Sequence, residues 1–404
     1  MTGPLSGIKI VEVAMWAFVP SAGGMLSDMG AEVIKIEPHA GDPSRALSTA
    51  GMGPGAHGFT VQWEIYNRGK RSIALDLRQP GANEVLHRLL EDTDVFLTSL
   101  LPPARRQMKI DVDDIKARHP NVIYAVGSGT GPRGAEAEKG GFDFISFWSR
   151  GGVSAGLTPT DYPYPIPMPS GAFGDCSSGA MLAGGICAAL FQRATTGQAP
   201  VVDTALLGAG MWAMQSKLSS VTLAGLDDLP KPARSQANNP LVNSYRTRDR
   251  RFIVLSMLQS QRYWPGFCEA AGRPDLIEDP RFATLEGRST NIDACIAVLD
   301  DLFATRDLAE WRAVLSKQEG QWDVVQLPGE VHADPQVIAN DLMQEVSYAD
   351  GRSLKMVSVP VQFDRTALTP RPAPELGADS DAVLAELGYD EDAIIDLKVA
   401  GVVL

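Results

Sequence analysis

The chain has 404 residues, which is enough for about two to three domains and a large hydrophobic core. Its residues are 44% apolar and 21% charged, a composition typical of globular proteins. The net charge of −13 argues against a general affinity for nucleic acid or for an anionic membrane, because such surfaces require clustered Lys and Arg. It leaves room for a local basic pocket.

The start of the chain, MTGPLSGIKIVEVAMW, lacks the charged and then apolar order of a signal peptide, and no apolar run reaches the ~18 residues of a membrane span. Four cysteines without a CxxC pair predict free thiols in a reducing compartment. Five histidines are not spaced as metal ligands. We therefore expect a cytoplasmic protein with no membrane partner and no bound metal.

Short apolar strands alternate with amphipathic helices through the first third of the chain. The predicted elements, in chain order, are a strand at 8–14, a helix at 20–30, strands at 31–37 and 71–77, a helix at 81–93, a strand at 94–100, a helix at 111–120 and a strand at 121–127. This alternation predicts an α/β domain in which helices cover both faces of a parallel sheet.

The pattern changes at 226–240, a loop-like segment rich in Pro, Asn and Asp. Two strand signals and three amphipathic helical segments follow, which predicts a second, smaller α+β domain. The helical tail at 381–403 is too short to form a core of its own, so it should pack on the first domain. We predict a large domain at 1–224, a small domain at 225–330 and a return to the large domain at 331–404.

The segment GSGTGPRG at 127–134 contains glycines that fit the dinucleotide-binding pattern GxGxxG after a strand. The residues that follow, AEAEKGGFDF, are charged and interrupted by glycines, and Pro132 lies inside the motif. Without a helix N-terminus directed at a pyrophosphate, the motif loses its physical basis. A flexible loop that covers a ligand is therefore favoured, and a nicotinamide-dependent oxidoreductase is an alternative.

The stretch SGAFGDCSSGAMLAGGICAAL at 170–190 places a single acid, Asp175, before an apolar helical run. Such an acid is commonly the N-cap of a helix. The glycines before it would leave space for a bulky reactant and free backbone N–H groups for an oxyanion, so a catalytic carboxylate is the second interpretation. Cys176 has no His within fifty residues that could activate it, which favours a small buried residue over a nucleophile.

Several motifs, in the same order, resemble the class III CoA-transferases, a family that also includes the α-methylacyl-CoA racemases. The resemblance covers nearly the whole chain. The segments that carry it are 5–45 with GAEVIKIE and GDPSR, NRGKRSIALDL at 67–77, GDCSSGAMLAGGICAALFQRATTGQ at 174–198, EDPRF at 278–282, RSTNID at 288–293, DPQVIAND at 334–341 and APELGADSDAVLAELGY at 373–389.

The resemblance implies an acyl-CoA:carboxylate CoA-transferase with Asp175 as the nucleophile. Its carboxylate would attack the thioester of an acyl-CoA donor to give a mixed anhydride, then an aspartyl-CoA thioester, and a carboxylic acid acceptor would complete the exchange. CoA is then a substrate, and no tightly bound cofactor is implied. The family fold is a homodimer of interlocked rings, in which each chain has a Rossmann-like large domain and a small domain.

The resemblance also implies contacts with CoA. Trp16, Ala17 and Phe18 match positions that border the CoA thiol and the active site. The sequence departs from the family at Gln107, where an arginine usually precedes the methionine, so the set of basic residues that contact the phosphates is left open. Leu75, Arg78 and Met108 match positions that line the nucleotide part. Ser99 and Leu100 stand where the family has an Asn-aromatic pair, and Arg105 and Arg106 are displaced by a residue or two from the usual arginine. Lys139 is a further candidate phosphate contact.

The racemase branch of the family is the nearer alternative. A racemase moves a proton at the α-carbon of a 2-methylacyl-CoA and needs two acid/base groups. Its members carry a GHD motif where this chain has GFD at 141–143, and Phe142 cannot carry a proton. CoA transfer is therefore favoured. The aromatic segment DFISFWSRGGVSAG at 143–156 predicts a larger or more hydrophobic acyl group without identifying it.

Overall fold

The computed structural model describes residues 3–51, 55–56, 58–231 and 233–404. The strands are β1 (Lys9–Val13), β2 (Glu32–Glu37), β3 (Gly55–Ala56), β4 (Phe59–Thr60), β5 (Arg71–Ala74), β6 (Val95–Thr98), β7 (Ile123–Ser128), β8 (Val201–Ala205), β9 (Val242–Arg246), β10 (Phe252–Ser256), β11 (Trp322–Val324), β12 (Met343–Ser347) and β13 (Ser353–Val357).

The α-helices are α1 (Phe18–Asp28), α2 (Val61–Asn67), α3 (Ala82–Leu90), α4 (Pro102–Met108), α5 (Val112–Arg118), α6 (Val153–Leu157), α7 (Phe173–Thr196), α8 (Leu206–Ala213), α9 (Gln215–Ala224), α10 (Ser260–Ala271), α11 (Asp275–Glu278), α12 (Leu285–Thr290), α13 (Ile292–Phe303), α14 (Leu308–Leu315), α15 (Pro335–Ala339), α16 (Ser380–Glu386) and α17 (Glu391–Val399). A π-helical segment spans Phe144–Arg150, and short 3-10 helices span Pro43–Ala46, Arg234–Gln236 and Val331–Ala333.

The chain divides into two compact units, Met1–Leu229 with Pro335–Leu404, and Pro230–Asp334. The first unit contains a six-stranded sheet in the order β5–β2–β1–β6–β7–β8, and every neighbouring pair is parallel. In chain order these strands run 3-2-1-4-5-6, which is the doubly wound arrangement. The predicted α/β fold with a parallel sheet is thereby confirmed. The domain boundaries at 224/225 and 330/331 stay predictions.

The central strands are almost continuously apolar because helices cover both faces of the sheet. On one face, Ile10, Leu97 and Ile123 pack with residues of α1 and α7. On the other face, a second cluster combines α3 and α5 with the end of the chain. Its C-terminal members are Val383, Leu384, Val402 and Val403. The chain end is therefore part of the core of the first unit.

The helix α7 lies against this sheet. Among the residues that the structure describes, it is the one helix long and apolar enough to cross a membrane. The sequence analysis expected no apolar run as long as a membrane span. Glycines and serines do interrupt the apolar residues of α7, but its mean hydropathy stays high enough for a span. Leu182, Ala183 and Ile186 are buried with residues of α1, as in the core helix of a globular protein.

The second unit has its own sheet and core. Its three strands are antiparallel in the order β11–β10–β9. Trp264, Phe267, Phe303 and Trp311 are buried together, and aromatic contacts join several of these rings. The sequence analysis predicted β9 and β10 but not β11, which has three residues. All four cysteines of the chain are free, as predicted.

Candidate active site

The sheet has a point at which the strand order changes direction, between β1 and β6. In open α/β sheets, ligands bind outside the carboxyl ends of the strands at such a point. Met15 follows β1 and Ser99 follows β6, and the Met15 N–H donates to Ser99 Oγ at 3.0 Å. A cavity of about 380 Å³ opens here, and its mostly apolar lining includes Met15, Ile36, Leu75, Arg78, Leu100 and Met108.

Four of the predicted CoA-contact residues therefore meet in this cavity: Leu75, Arg78, Leu100 and Met108. The other predicted basic contacts are not among its lining residues. They pair with carboxylates, as Arg78 does with Asp76 at 2.8 Å. The pairs are Arg105 with Asp111 at 3.1 Å, Arg106 with Glu138 at 2.7 Å and Lys139 with Glu136 at 3.5 Å. The pairs of Arg106 and Lys139 are exposed and therefore weak, whereas Arg105 and Asp111 are 12% and 24% exposed.

The loop between β1 and α1 is held in an unusual conformation. Trp16 has a φ of 71°, a left-handed value that is uncommon for residues other than glycine. Its N–H donates to Asp42 Oδ1 at 3.1 Å. Ser44 and Lys35 also contact Asp42, and despite its burial they hold the pKa of this carboxyl below the usual range. Ala17 and Phe18 follow at the buried start of α1.

Beneath this loop lies a fully buried charge cluster formed by Glu12, Lys35 and Lys70. Lys35 Nζ is 3.0 Å from Glu12 Oε1, and Lys70 Nζ is 2.8 Å from Glu12 Oε2. Lys70 also donates to the Pro20 carbonyl at 2.9 Å, in the first turn of α1. Burial lowers the pKa of Lys70 to about 8, although Glu12 opposes this shift. The cluster therefore ties strands β1, β2 and the start of β5 to the loop that carries Trp16.

Asp175 is the third residue of α7 and not its N-cap, so the N-cap interpretation is wrong. The N-cap residue is Ala172, which has a φ of 62° and no side-chain acceptor. The first N–H groups of a helix have no partner within the helix. Here the N–H groups of Gly174 and Asp175 interact with the carboxylate of Asp143, which also accepts the Phe144 N–H at 2.7 Å.

Two carboxyl groups consequently meet at the N-terminus of α7. Asp175 and Asp143 are 8% and 7% exposed. Burial raises the pKa of Asp175 to about 8, and the neighbouring Asp143 carboxylate adds to the shift. Burial also raises the pKa of Asp143, while the backbone N–H groups oppose this. Sequence reasoning identified Asp175 but gave no role to Asp143, whose only signal was its place in the GFD motif.

Cys176, next to Asp175, is exposed, so the expectation that it is buried is wrong. Its Sγ donates to the hydroxyl of the buried Tyr66 at 3.6 Å. Partial desolvation raises the pKa of this thiol. Because thiolates and not thiols are nucleophilic, Cys176 is poorly suited to attack a substrate.

The glycine-rich segment after β7 contains no dinucleotide-binding helix. β7 ends at Ser128, and the next helical segment begins at Phe144. The predicted lack of a helix after the glycines is therefore confirmed, which removes the physical basis of the nicotinamide alternative. Among the residues that the structure describes, no group of three or more His, Cys, Asp or Glu side chains could hold a metal ion.

Comparison with known proteins gives consistent matches along the chain. The model of a family described as CoA-transferase family III matches residues 5–380. The (R)-2-hydroxy-4-methylpentanoate CoA-transferase of Clostridioides difficile is 30% identical over 99% of both chains. The cinnamoyl-CoA:phenyllactate CoA-transferase of Clostridium sporogenes is 28% identical over 98% of this chain and 96% of its own. A solved structure of a CAIB/BAIF family protein from Brucella suis has a TM-score of 0.83 and 26% identity, and the match covers 96% of this chain and 100% of that one.

Proposed function

Because the chain belongs to CoA-transferase family III and is an enzyme of this class, we propose that it moves CoA from an acyl-CoA to a carboxylate through a covalent intermediate on Asp175. The observation that carries this mechanism is the position of Asp175. Its carboxylate is buried at the first turn of α7, beside Asp143, in the same unit as the cavity at the carboxyl ends of β1 and β6.

The first half of the reaction transfers CoA to the enzyme. Asp175 attacks the thioester carbonyl, the C–S bond breaks, and an acyl–aspartyl anhydride and CoA thiolate form. The thiolate attacks the aspartyl carbonyl of this anhydride. An aspartyl-CoA thioester forms, and the donor acid leaves as a carboxylate.

The second half reverses these steps with the acceptor. The acceptor carboxylate attacks the aspartyl thioester to give a new anhydride and CoA thiolate. The thiolate then attacks the acceptor acyl carbonyl, which yields the new acyl-CoA and restores the Asp175 carboxylate. No water is consumed and no net proton moves, and the overall reaction exchanges one thioester bond for another of similar energy.

The environment of Asp175 favours acylation. A buried carboxylate beside a second carboxyl group is destabilised in its charged form, as the raised pKa of Asp175 shows. Acylation makes Asp175 neutral and therefore relieves both the desolvation and the repulsion from Asp143. The same burial keeps water away from an anhydride that water would hydrolyse.

The cavity at the end of β1 and β6 is proposed to hold the nucleotide part of CoA. Leu75, Leu100 and Met108 supply apolar surface for the base. Arg78, whose side chain is 62% exposed, would exchange its ion pair with Asp76 for a phosphate. Trp16 lies on the loop that adjoins this cavity through Met15. This loop would place the CoA thiol end toward the candidate nucleophile.

Chemical trapping tests the covalent mechanism. Incubation with an acyl-CoA and hydroxylamine should convert Asp175 to a hydroxamate, detected by peptide mass spectrometry. The exposed acid Asp161 should stay unmodified. An active enzyme that shows no label at Asp175 would contradict the mechanism. Deuterium incorporation at the α-carbon of a 2-methylacyl-CoA, measured in deuterated water without an acceptor acid, would instead indicate the racemase activity.

The pH dependence of the reaction should report the raised pKa of Asp175. The attacking form is the carboxylate, so kcat/KM should rise between about pH 6 and about pH 9, close to tenfold per pH unit below the pKa of about 8. Asp143→Asn removes the neighbouring charge and should move this rise to lower pH. The pKa of Asp175 should stay partly raised, because burial is the larger cause of its shift. Asp161→Asn should leave the profile unchanged. A profile that is flat above about pH 5 would contradict the assignment.

A homodimer is part of the proposal. Large apolar side chains are exposed along α7, α8 and α9: Phe191 is 72% exposed, Trp212 62% and Leu223 91%. Exposed apolar surface of this kind marks interaction sites, and a second copy of the chain, in an interlocked arrangement, would cover it. Sedimentation at nanomolar concentration should therefore show a dimer, and a folded monomer would contradict this part of the proposal.

A further inference from the structure

Exposed aromatic rings lie in the two segments that contain Asp143 and Asp175. Phe142 and Phe144 flank Asp143 and are 53% and 52% exposed, and Phe173, two residues before Asp175, is 46% exposed. Large apolar side chains exposed next to the two buried acids indicate a surface that binds an apolar partner. We refer to Trp16, Phe142, Phe144 and Phe173 as the aromatic wall.

Two edge-to-face contacts orient parts of this wall. Phe142 contacts the half-buried Trp16 edge to face, with ring centroids 5.7 Å apart. Phe173 contacts the buried Trp148 in the same geometry at 6.1 Å. Edge-to-face contacts of this kind stabilise a defined ring orientation. The exposed faces are therefore preorganised, which lowers the entropic cost of ordering these side chains when a group binds.

The same stretch of chain has acids but hardly any cation. From 140 to 192 the sequence contains one basic residue, Arg150, together with Asp143, Asp161 and Asp175. Arg150 pairs with Glu136 outside this stretch, and Lys139 pairs with the same carboxylate. A second carboxylate on a substrate would therefore meet repulsion from the buried Asp143, while Arg150 and Lys139 are both paired with Glu136.

We infer that the acyl site accepts monocarboxylates with an apolar or aromatic body and discriminates against dicarboxylates. This inference rests on the proposed CoA transfer and concerns the substrate class of the same site. The reacting carboxylate approaches Asp175 after acylation has removed its charge. The rest of the substrate packs on the aromatic wall, where an apolar group gains contact and a second charge would lose its hydration.

Acceptor competition tests the inference on the unmutated protein. With 3-phenylpropanoyl-CoA as the donor, kcat/KM is compared for 4-methylpentanoate, isotopically labelled 3-phenylpropanoate, glutarate and succinate. The two monocarboxylates should be favoured by about 100-fold or more. If glutarate or succinate is the better acceptor, the inference is overturned while the CoA transfer stands. If no acid accepts CoA from any donor, the proposed function itself fails.

Variants of the wall give a second measurement. Phe142→Arg adds a cation at the wall and should raise the ratio of kcat/KM for glutarate to that for 3-phenylpropanoate by about tenfold. Phe142 is half exposed, so the substitution leaves the core unchanged. Phe363→Arg is the matched control. Phe363 is a 36% exposed ring beside the start of β2, so its substitution should leave the ratio unchanged. Equal ratios in both variants and the unmutated protein would overturn the role of the wall.

Discussion

Asp175→Ala should reduce CoA transfer by about 10⁴-fold or more, because it removes the atom that bonds to the acyl group and to CoA. The fold should be unaffected. Burial raises the pKa of Asp175 to about 8, which means that the charged carboxylate is destabilised where it lies. Its removal should therefore leave the thermal unfolding temperature the same or slightly higher. Turnover of acyl-CoA with an acceptor acid and thermal unfolding are the two measurements.

A matched variant separates the role of Asp175 from a general effect of the acids between residues 140 and 192. Asp161 lies on the same acidic stretch and is exposed, so Asp161→Ala should change turnover by less than about twofold. Asp175→Asn keeps the shape of the side chain without its nucleophilic oxygen and should lose as much activity as Asp175→Ala. Residual activity within tenfold of the unmutated enzyme in either Asp175 variant would show that another group forms the covalent intermediate.

Glu12→Gln should lower the free energy of unfolding by about 3–5 kcal/mol, which is the typical effect of breaking a buried ion pair. Glu12 lies between Lys35 and Lys70, and all three side chains are fully buried. Lys35 keeps Asp42 as a partner at 3.0 Å, whereas Lys70 loses its only ion-pair partner that the structure describes. Urea denaturation at pH 7 measures the loss.

Glu32→Gln is the control for this prediction. Glu32 begins the neighbouring strand β2 and pairs with Arg71 at 2.9 Å, but its side chain is 40% exposed. An exposed pair of this kind contributes less than about 1 kcal/mol, so the variant should unfold close to the unmutated protein. Replacing Lys70 by Met in the Glu12→Gln background should recover part of the loss, since it removes the unpaired charge. Equal losses for Glu12→Gln and Glu32→Gln would contradict the account of the cluster.

Five of the six strands of the parallel sheet could be predicted from the sequence. Apolar runs such as 8–14 and 94–100 became β1 and β6 within two residues at each end, because burial on both faces of a parallel sheet demands continuous apolar side chains. The strand β11 could not be predicted. It has three residues and exists through its antiparallel pairing with β10, a contact across some 70 residues of chain that no local pattern encodes.

The sequence by itself determined the alternation of strands and helices and the parallel sheet, because periodicity is a local property. Its resemblance to a known family singled out Asp175 as the candidate nucleophile. Only the tertiary structure decided what surrounds these residues. It brings Asp143 to the first N–H groups of α7 and Asp42 to Trp16. It also places Glu12 between Lys35 on β2 and Lys70 just before β5. The pKa of a carboxyl group depends on burial and on charges within a few ångströms, and both are set by the packing of segments far apart in the chain.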